Sequence, residues 1–183
     1  MRALLIAALV AIGTLTGVAA ALVAHSDAGM PRAGNWHEIA WPFPRDGWPI
    51  GRAFHCDASA CGEDVELYVR PKIGFCNCDS GVADDDEVDR VADLDLMSQR
   101  FVPSEAGKVV RIAEMSGRAR SYDLKMTDGS QHAAVGFALS QRCDLLVAVA
   151  QGKGDAVNVQ RVAADFLGSS TMTRWMTAAL NGG

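Results

Sequence analysis

The chain has 183 residues, a formal net charge of −5 and five cysteines. That length allows one domain with a hydrophobic core after an N-terminal leader is set aside. The basic residues are scattered rather than clustered, which argues against a nucleic-acid surface and against polybasic contact with anionic lipid. The acidic balance by itself indicates only solubility.

Residues 1–24 read as a leader that inserts into a membrane. Residues 3–24 contain no charged side chain, and Arg2 precedes them. A bilayer core needs about 20 apolar residues as a helix, whereas the apolar part of a cleaved signal peptide usually has ~7–15. The length favours an uncleaved inner-membrane anchor, with a cleaved signal and a soluble periplasmic domain as the alternative. Positive charge retained on the N-terminal side places the following domain in the periplasm.

Residues 25–50 form an aromatic and proline-rich arm. It contains Trp36, Trp41 and Trp48, and three prolines lie between positions 42 and 49. Proline at this density disfavours a helix and favours extended chain. The rings either pack on the domain or form a surface for a partner near the membrane, because Trp is common in both settings. The three tryptophans are therefore candidate partner-binding residues.

Residues 51–183 are predicted to form one disulfide-stabilised domain that begins with strands. Apolar and polar residues alternate in several short runs, as in strands with one buried face. The predicted strands are 52–56, 65–70, 73–76, 108–114, 118–126, 133–139 and 143–150. Pro71 and Lys72 are predicted to form a turn, and Asp128-Gly129 a hairpin turn. The last run is almost continuously apolar, which indicates a central strand.

Helices are predicted at two places in the domain. The acidic run within residues 80–100 suits the start of a helix and lacks the Asp-x-Asp-x-Asp-Gly loop of a calcium site. Residues 156–181 have helical spacing, with an interruption at Gly168 and a cap at Ser169 or Ser170. Strands followed by helices predict an α+β fold. In it, a mostly antiparallel sheet packs with helices, preceded by one N-terminal apolar helix.

Four cysteines fall close together: Cys56, Cys61, Cys76 and Cys78. Disulfides persist in the periplasm, so two structural disulfides are predicted within this cluster. Four cysteines allow three pairings. A bond between Cys76 and Cys78 would close a strained ring, which favours crossed pairing of these two with Cys56 and Cys61.

A metal site is the alternative use of the cluster. Four thiolates could bind zinc tetrahedrally, His55 could replace one of them, and soft sulfur ligands would also suit copper(I). The spacing is not the usual Cys-x2-Cys, which also argues against a redox-active dithiol. His55 and Cys56 are neighbours, so on a strand they would face opposite sides. No cofactor is predicted beyond this alternative.

Cys143 stands outside the cluster. It opens the most apolar predicted strand, so a buried and inert thiol is expected. One alternative is a nucleophile acting with His132 and Asp144, although no family signature surrounds these residues. Another is an intermolecular disulfide.

The stretch from Trp41 to Cys78 reads WPFPRDGWP and then LYVRPKIGFCNC. It resembles a bacterial family of small membrane-anchored proteins whose activity is unassigned, and the resemblance covers the leader and most of the domain. It implies a location at the membrane and brings no site residues. The order of aromatic arm, antiparallel strands and terminal helix is similar to the Mog1/PsbP-like α/β/α sandwich, whose usual pattern lacks the cysteine cluster.

These features predict a non-enzymatic, membrane-anchored accessory or interaction protein of the cell envelope. Its contacts would be the membrane through residues 3–24 and an envelope protein as candidate partner, with no nucleic acid. The first alternative is a periplasmic zinc- or copper-binding protein that uses the four-cysteine cluster. The second is a thiol-dependent enzyme that uses Cys143.

Overall fold

The computed structural model describes residues 35–74 and 77–181. Its strands are β1 (Trp36–Ile39), β2 (Arg52–Cys56), β3 (Val65–Lys72), β4 (Phe101–Pro103), β5 (Lys108–Ile112), β6 (Met115–Lys125), β7 (Gln131–Gln141) and β8 (Asp144–Gly152). Its helices are α1 (Ala58–Cys61), α2 (Asp85–Val91), α3 (Leu94–Met97), α4 (Ala156–Leu167) and α5 (Ser170–Leu180).

All eight strands belong to one antiparallel sheet. The strand order is β1-β2-β3-β8-β7-β6-β4, and β5 pairs with another part of β6. The predicted α+β class with a mostly antiparallel sheet is confirmed. So is the central position of the apolar strand β8, which lies between β3 and β7.

The sheet has two covered faces, because successive side chains of a strand point to opposite sides. In β8, Leu146 and Ala148 belong to the core beneath α4 and α5, whereas Leu145 and Val147 belong to the core beneath α2. Coverage on both sides explains why residues 145–150 of β8 are all apolar. We call the two sides the α4–α5 face and the α2 face. On β3, the side chains on the α4–α5 face are Val65, Leu67 and Val69. Those on the α2 face are Glu66, Tyr68, Arg70 and Lys72.

Side-chain caps begin the three longer helices. Asp84, Asp155 and Ser169 each accept a hydrogen bond from a backbone N–H in the first turn of α2, α4 and α5. Such caps satisfy N–H groups that have no partner inside the helix. The predicted cap at Ser169 is confirmed, and Gly168 separates α4 from α5 as expected.

Two predicted boundaries are wrong. β3 continues through Pro71 and Lys72, against the predicted turn, because both residues pair with β8, opposite Leu146 and Leu145. The buried Lys72 ammonium is also hydrogen-bonded to Asp93 on the α2 face. The predicted helix in 80–100 is broken into α2 and α3, because Asp93 leaves helical geometry and also binds Arg70. Asp93 therefore ends one helix and stabilises the far end of β3.

Two further predictions fall partly or wholly outside the described residues. The predicted strand 73–76 is a turn at residues 73 and 74, and its remainder lies outside. The predicted anchor in 3–24 lies outside altogether. Within residues 35–74 and 77–181, no helix has the length and apolarity needed to cross a bilayer.

Candidate functional site

Two histidines meet on the α2 face at the outer edge of the sheet. The antiparallel register of β1 and β2 places His37 directly opposite His55. The Nε2 atom of His37 lies 3.3 Å from the Nδ1 atom of His55, and the two rings cross at 72°. Because cross-strand neighbours on one face hold their Cβ atoms about 5 Å apart, this approach is set by the backbone register.

Two carboxylates lie beside the histidine pair. An Oδ1 atom of Asp57 is 3.6 Å from Nδ1 of His55, and Oδ1 of Asp64 is 3.7 Å from Nε2 of the same ring. One ligand atom each from His37, His55 and Asp57 lies within 4.8 Å of the others. We call these three residues the His–Asp cluster. His37 and Asp57 are exposed and His55 is half-buried, so solvent reaches the cluster.

A polar row continues from the cluster across the sheet. Glu66 of β3 stands opposite His55, and its carboxylate accepts hydrogen bonds from the Tyr68 hydroxyl at 2.6 Å and from the Gln151 amide at 2.9 Å. Gln151 is in turn 3.2 Å from a ring nitrogen of His132 on β7. The row therefore spans five neighbouring strands, from His37 on β1 to His132.

The polar row borders a cavity of about 240 Å³. His55, Asp64, Glu66, His132 and Gln151 all line this cavity. Burial, together with the hydrogen bond to Glu66, raises the pKa of the neighbouring Tyr68 phenol well above its usual range. The Tyr68 phenol therefore stays protonated and donates to Glu66. The Glu66 carboxylate is oriented by two hydrogen bonds, from Tyr68 and from Gln151.

A second charged cluster lies on the same face. Its Arg70, Lys72 and Asp93 are buried, and its Asp46 is exposed. The Arg70 guanidinium donates to Asp93 at 2.6 and 2.7 Å and to Asp46 at 2.8 and 2.7 Å. The Lys72 ammonium donates to Asp93 and to the carbonyl of Val91, both at 2.8 Å. The hydrogen bonds from Arg70 lower the pKa of Asp46 to about 2. We call Asp46, Arg70, Lys72 and Asp93 the ion cluster.

The ion cluster fastens the aromatic arm to the sheet. The Arg70 guanidinium lies 5.9 Å from the ring centroid of Trp41, and the Lys72 ammonium lies 5.5 Å from that of Trp48. Both rings are half-buried. Trp36, by contrast, is 9% exposed and stacks on Phe166 in the core. Of the three candidate partner-binding tryptophans, only Trp41 and Trp48 keep ring surface accessible to a partner.

The cysteines pair differently from the favoured prediction. The structure joins Cys56 to Cys61 and Cys78 to Cys143, with Cα–Cα distances of 6.1 and 4.3 Å. The crossed pairing is wrong because β3 separates the two ends of the cluster by eight residues, or roughly 26 Å of extended chain. Cys76 lies outside the described residues.

These bonds also overturn two alternatives. Sulfurs that are bonded to each other offer no thiolates, so the four-cysteine zinc or copper(I) site is wrong, although His55 keeps other potential ligands. Cys143 is a disulfide partner in the β7–β8 turn and not a buried thiol. It is separated from His132 by the eleven-residue strand β7, roughly 35 Å long, so the two cannot form a catalytic pair. Asp144 instead accepts the backbone N–H of Gly74.

Two residues of the acidic run, Asp85 and Asp89, have structural partners. Asp85 accepts hydrogen bonds from the backbone of Gly107 and from Arg118, and these lower the pKa of its carboxyl. Asp89 accepts from Arg120 and from the Tyr122 hydroxyl. Both contacts tie α2 to β6 and its neighbouring loop, so this part of the acidic run holds the helix on the sheet.

Sequence reasoning missed the His–Asp cluster because it depends on the pairing of β1 with β2. The useful signal is the alternation around each histidine. Trp36 and Cys56 are buried on the α4–α5 face, so His37 and His55 must point to the other one.

Comparison with known proteins gives little further information. No known protein family matches the chain, and no curated protein matches it. Among solved structures it is similar to a Pseudomonas aeruginosa protein of unknown function, with a TM-score of 0.42 and 13% identity. That match covers 71% of this chain and 91% of the other.

Proposed function

We propose that the chain is a non-enzymatic accessory protein of the cell envelope, held at the inner membrane by residues 3–24, whose periplasmic domain binds an envelope protein. The observation that carries this proposal is the aromatic arm. Its half-exposed rings, Trp41 and Trp48, lie over the buried cations Arg70 and Lys72.

The arm is pre-organised in a way that favours binding. Trp41 and Phe43 contact each other at a centroid distance of 5.3 Å, and both contact Tyr68 of β3. Asp46, further along the arm, is bound by Arg70 through two hydrogen bonds. Aromatic side chains that are already ordered lose little freedom on binding, and rings of this kind dominate the energetics of many interfaces.

The position of the arm in the chain indicates where its partner would be. Only residues 25–34 separate the proposed anchor from the first described residue, and ten residues span at most about 36 Å when fully extended. The arm would therefore stay close to the membrane. Since the basic residues are scattered, an inner-membrane protein is a better partner than the lipid surface itself.

The disulfides support the periplasmic location. The bond between Cys78 and Cys143 joins residues 65 positions apart, and Cys78 is exposed. Such a bond persists in an oxidising compartment and is rare in a reducing one. Closing a loop of this size contributes roughly 4 kcal/mol in the chain-entropy model.

The compartment is tested by alkylating cells before lysis and mapping peptides without reduction. We expect linked peptides for Cys56–Cys61 and for Cys78–Cys143, recovered from the membrane fraction after a carbonate wash. Recovery in the soluble periplasm would support the cleaved signal instead of the anchor. Alkylation of all four cysteines before reduction would contradict the periplasmic location.

The partner surface is tested by photo-crosslinking in the intact envelope. A photoreactive residue is placed at position 43 or 48 in the full chain, and at position 175 as the control. Trp175 is half-buried on α5, on the opposite side of the sheet. We expect a discrete adduct with an inner-membrane protein at positions 43 and 48 and none at 175. Equal adducts at all three positions, or none in the arm, would contradict the proposal.

A further inference from the structure

We propose that His37, His55 and Asp57 bind one divalent transition-metal ion of the zinc or copper(II) type. This site uses none of the arm's candidate partner-binding tryptophans, although His37 belongs to the arm, and it does not depend on the partner proposed above. It also differs from the cysteine site that the sequence suggested, because the sulfurs of Cys56 and Cys61 are bonded to each other.

The spacing of the ligand atoms fits such an ion. Zinc binds imidazole nitrogen and carboxylate oxygen at about 2.0–2.2 Å, so two ligand atoms of a tetrahedral site lie roughly 3.4 Å apart. In the His–Asp cluster, Nε2 of His37 is 3.3 Å from Nδ1 of His55, which is 3.6 Å from Oδ1 of Asp57. The third pair of ligand atoms, from His37 and Asp57, lies within 4.8 Å, so side-chain rotation would bring it to the spacing of a bound ion.

The ligand types select the class of ion. Imidazole nitrogen suits zinc, copper(II) and nickel, whereas calcium and magnesium prefer sites built from oxygen alone. Affinity at such a nitrogen–oxygen site rises toward copper(II) and is lower for zinc. Copper(I) prefers sulfur ligands, and the three residues of this cluster supply none.

A carboxylate lies beside the ring nitrogen of His55 that does not face the ion. When Nδ1 of His55 binds the ion, its Nε2–H points outward, and Asp64 lies 3.7 Å from that atom. Asp64 is itself fixed, because it accepts the backbone N–H of Ala58 at 3.0 Å. Histidines that bind metals commonly donate their other ring N–H to a carboxylate, which orients the ring and makes it more basic.

Buried neighbours hold each ligand in place. His37 follows Trp36, which stacks on Phe166 in the core. His55 precedes Cys56, which is fully buried and bonded to Cys61. That disulfide closes the segment that carries Asp57. Within the described part of the chain, the carboxylate of Asp57 makes no capping hydrogen bond to α1, so it is available to an ion.

Three protein ligands leave a coordination position open. Structural zinc sites usually have four protein ligands, whereas sites that exchange a ligand have three and a water. The cluster is accessible to solvent, and His55 also lines the 240 Å³ cavity with Asp64 and Glu66. The site would therefore hold an exchangeable ion, with further polar groups within reach of a ligand on that ion.

The test is metal binding by the full chain, purified in detergent and stripped with a chelator. Zinc, copper(II) and cobalt(II) are titrated in turn by calorimetry, and the visible spectrum reports the cobalt geometry. We expect one equivalent of each to bind, with tetrahedral cobalt bands and shifts of the His37 and His55 ring signals in NMR. No binding, or binding without shifts at these two rings, would overturn the proposal.

Matched variants locate the site. His37→Ala and His55→Ala should each lower the affinity at least 100-fold, and Asp64→Asn should lower it about 10- to 100-fold, as outer-shell changes usually do. His132→Ala is the control, since His132 lies on the same face and contacts Gln151 but not the cluster. Equal losses in His37→Ala and His132→Ala would contradict the assignment. His37 is exposed, so unchanged thermal unfolding of His37→Ala without metal excludes misfolding as the cause.

Discussion

The α2 face carries two groups of charged and titratable side chains that differ in how they are satisfied. The ion cluster is largely buried, and its cations have carboxylates and a backbone carbonyl as partners. The His–Asp cluster lies at the edge of the same sheet and is accessible to solvent. It brings two imidazole nitrogens and a carboxylate oxygen close together.

The difference separates groups that stabilise the fold from groups that are available to a ligand. Burying a charge is costly unless it is paired, so the ion cluster exists only with its partners in place. An exposed group of two imidazoles and a carboxylate can stay solvated and does not need protein partners for the chain to fold. Removing a member of the first cluster should therefore change stability, and removing a member of the second should change binding.

The largest expected effect is the loss of Asp93. Asp93→Ala removes the carboxylate that binds both Arg70 and Lys72, and it leaves two buried cations short of a partner. Breaking a buried pair in this way usually costs about 3–5 kcal/mol of unfolding free energy. Urea denaturation measures it, with the exposed Asp95→Ala as control. A loss below that of the control would show that the ion cluster does not stabilise the fold.

Removing each of the two disulfides should lower the unfolding free energy by a different amount, and only one removal should change metal affinity. Replacing both Cys78 and Cys143 by serine should cost roughly 4 kcal/mol, and replacing Cys56 and Cys61 roughly 2 kcal/mol, because the second loop is much shorter. Only the second pair of substitutions should weaken metal binding, since that bond closes the segment carrying Asp57. Denaturation and calorimetry on both variants measure this. Equal metal affinity in the two would contradict the role given to the Cys56–Cys61 bond.

The pH dependence of stability isolates the link between the arm and the sheet. Hydrogen bonds from Arg70 lower the pKa of Asp46 from 3.8 to about 2 in the folded state. This stabilisation is complete above about pH 5, where the carboxyl of the unfolded chain is ionised too, and it is lost as the pH falls toward 2. The unfolding free energy of Asp46→Asn should therefore differ from the parent at pH 7 and approach it near pH 2. A difference that stays constant over this range would contradict the link.

Much of the fold could be predicted because it depends on local patterns. Alternating apolar residues and the Asp128-Gly129 turn predict the β6–β7 hairpin, and helical spacing with a serine cap predicts α4 and α5. Three short elements, β1, α1 and β4, are not predicted, because three or four residues are too few to show a period. β3 was cut short because Pro71 signals a turn locally, whereas its pairing with β8 is decided by distant residues.

The candidate site was harder to predict because it is made by long-range pairing. His37 and His55 lie 18 residues apart and meet only through the β1–β2 register, and a proline-rich connection hides that pairing. The same limitation applies to the Cys78–Cys143 disulfide, since these two residues meet only when the end of β3 reaches the β7–β8 turn. The expectation that His55 and Cys56 face opposite sides holds, because it needs only local alternation. The similarity to a membrane-anchored bacterial family stays a prediction.

The smallest expected effect is that of Glu38→Gln, a substitution on the other side of β1 and β2. It tests whether metal binding depends on the cluster or only on the pairing of these two strands. Glu38 follows His37 in the chain, and its carboxylate accepts a hydrogen bond from Arg52 of β2 at 2.8 Å on the α4–α5 face. The pair is exposed, so Glu38→Gln should lower the unfolding free energy by no more than about 1 kcal/mol. Metal affinity should stay within twofold of the parent, since Glu38 points away from the cluster. A loss as large as that of His37→Ala, measured in the same calorimetric titration, would mean that the edge strand and not the His–Asp cluster determines the binding.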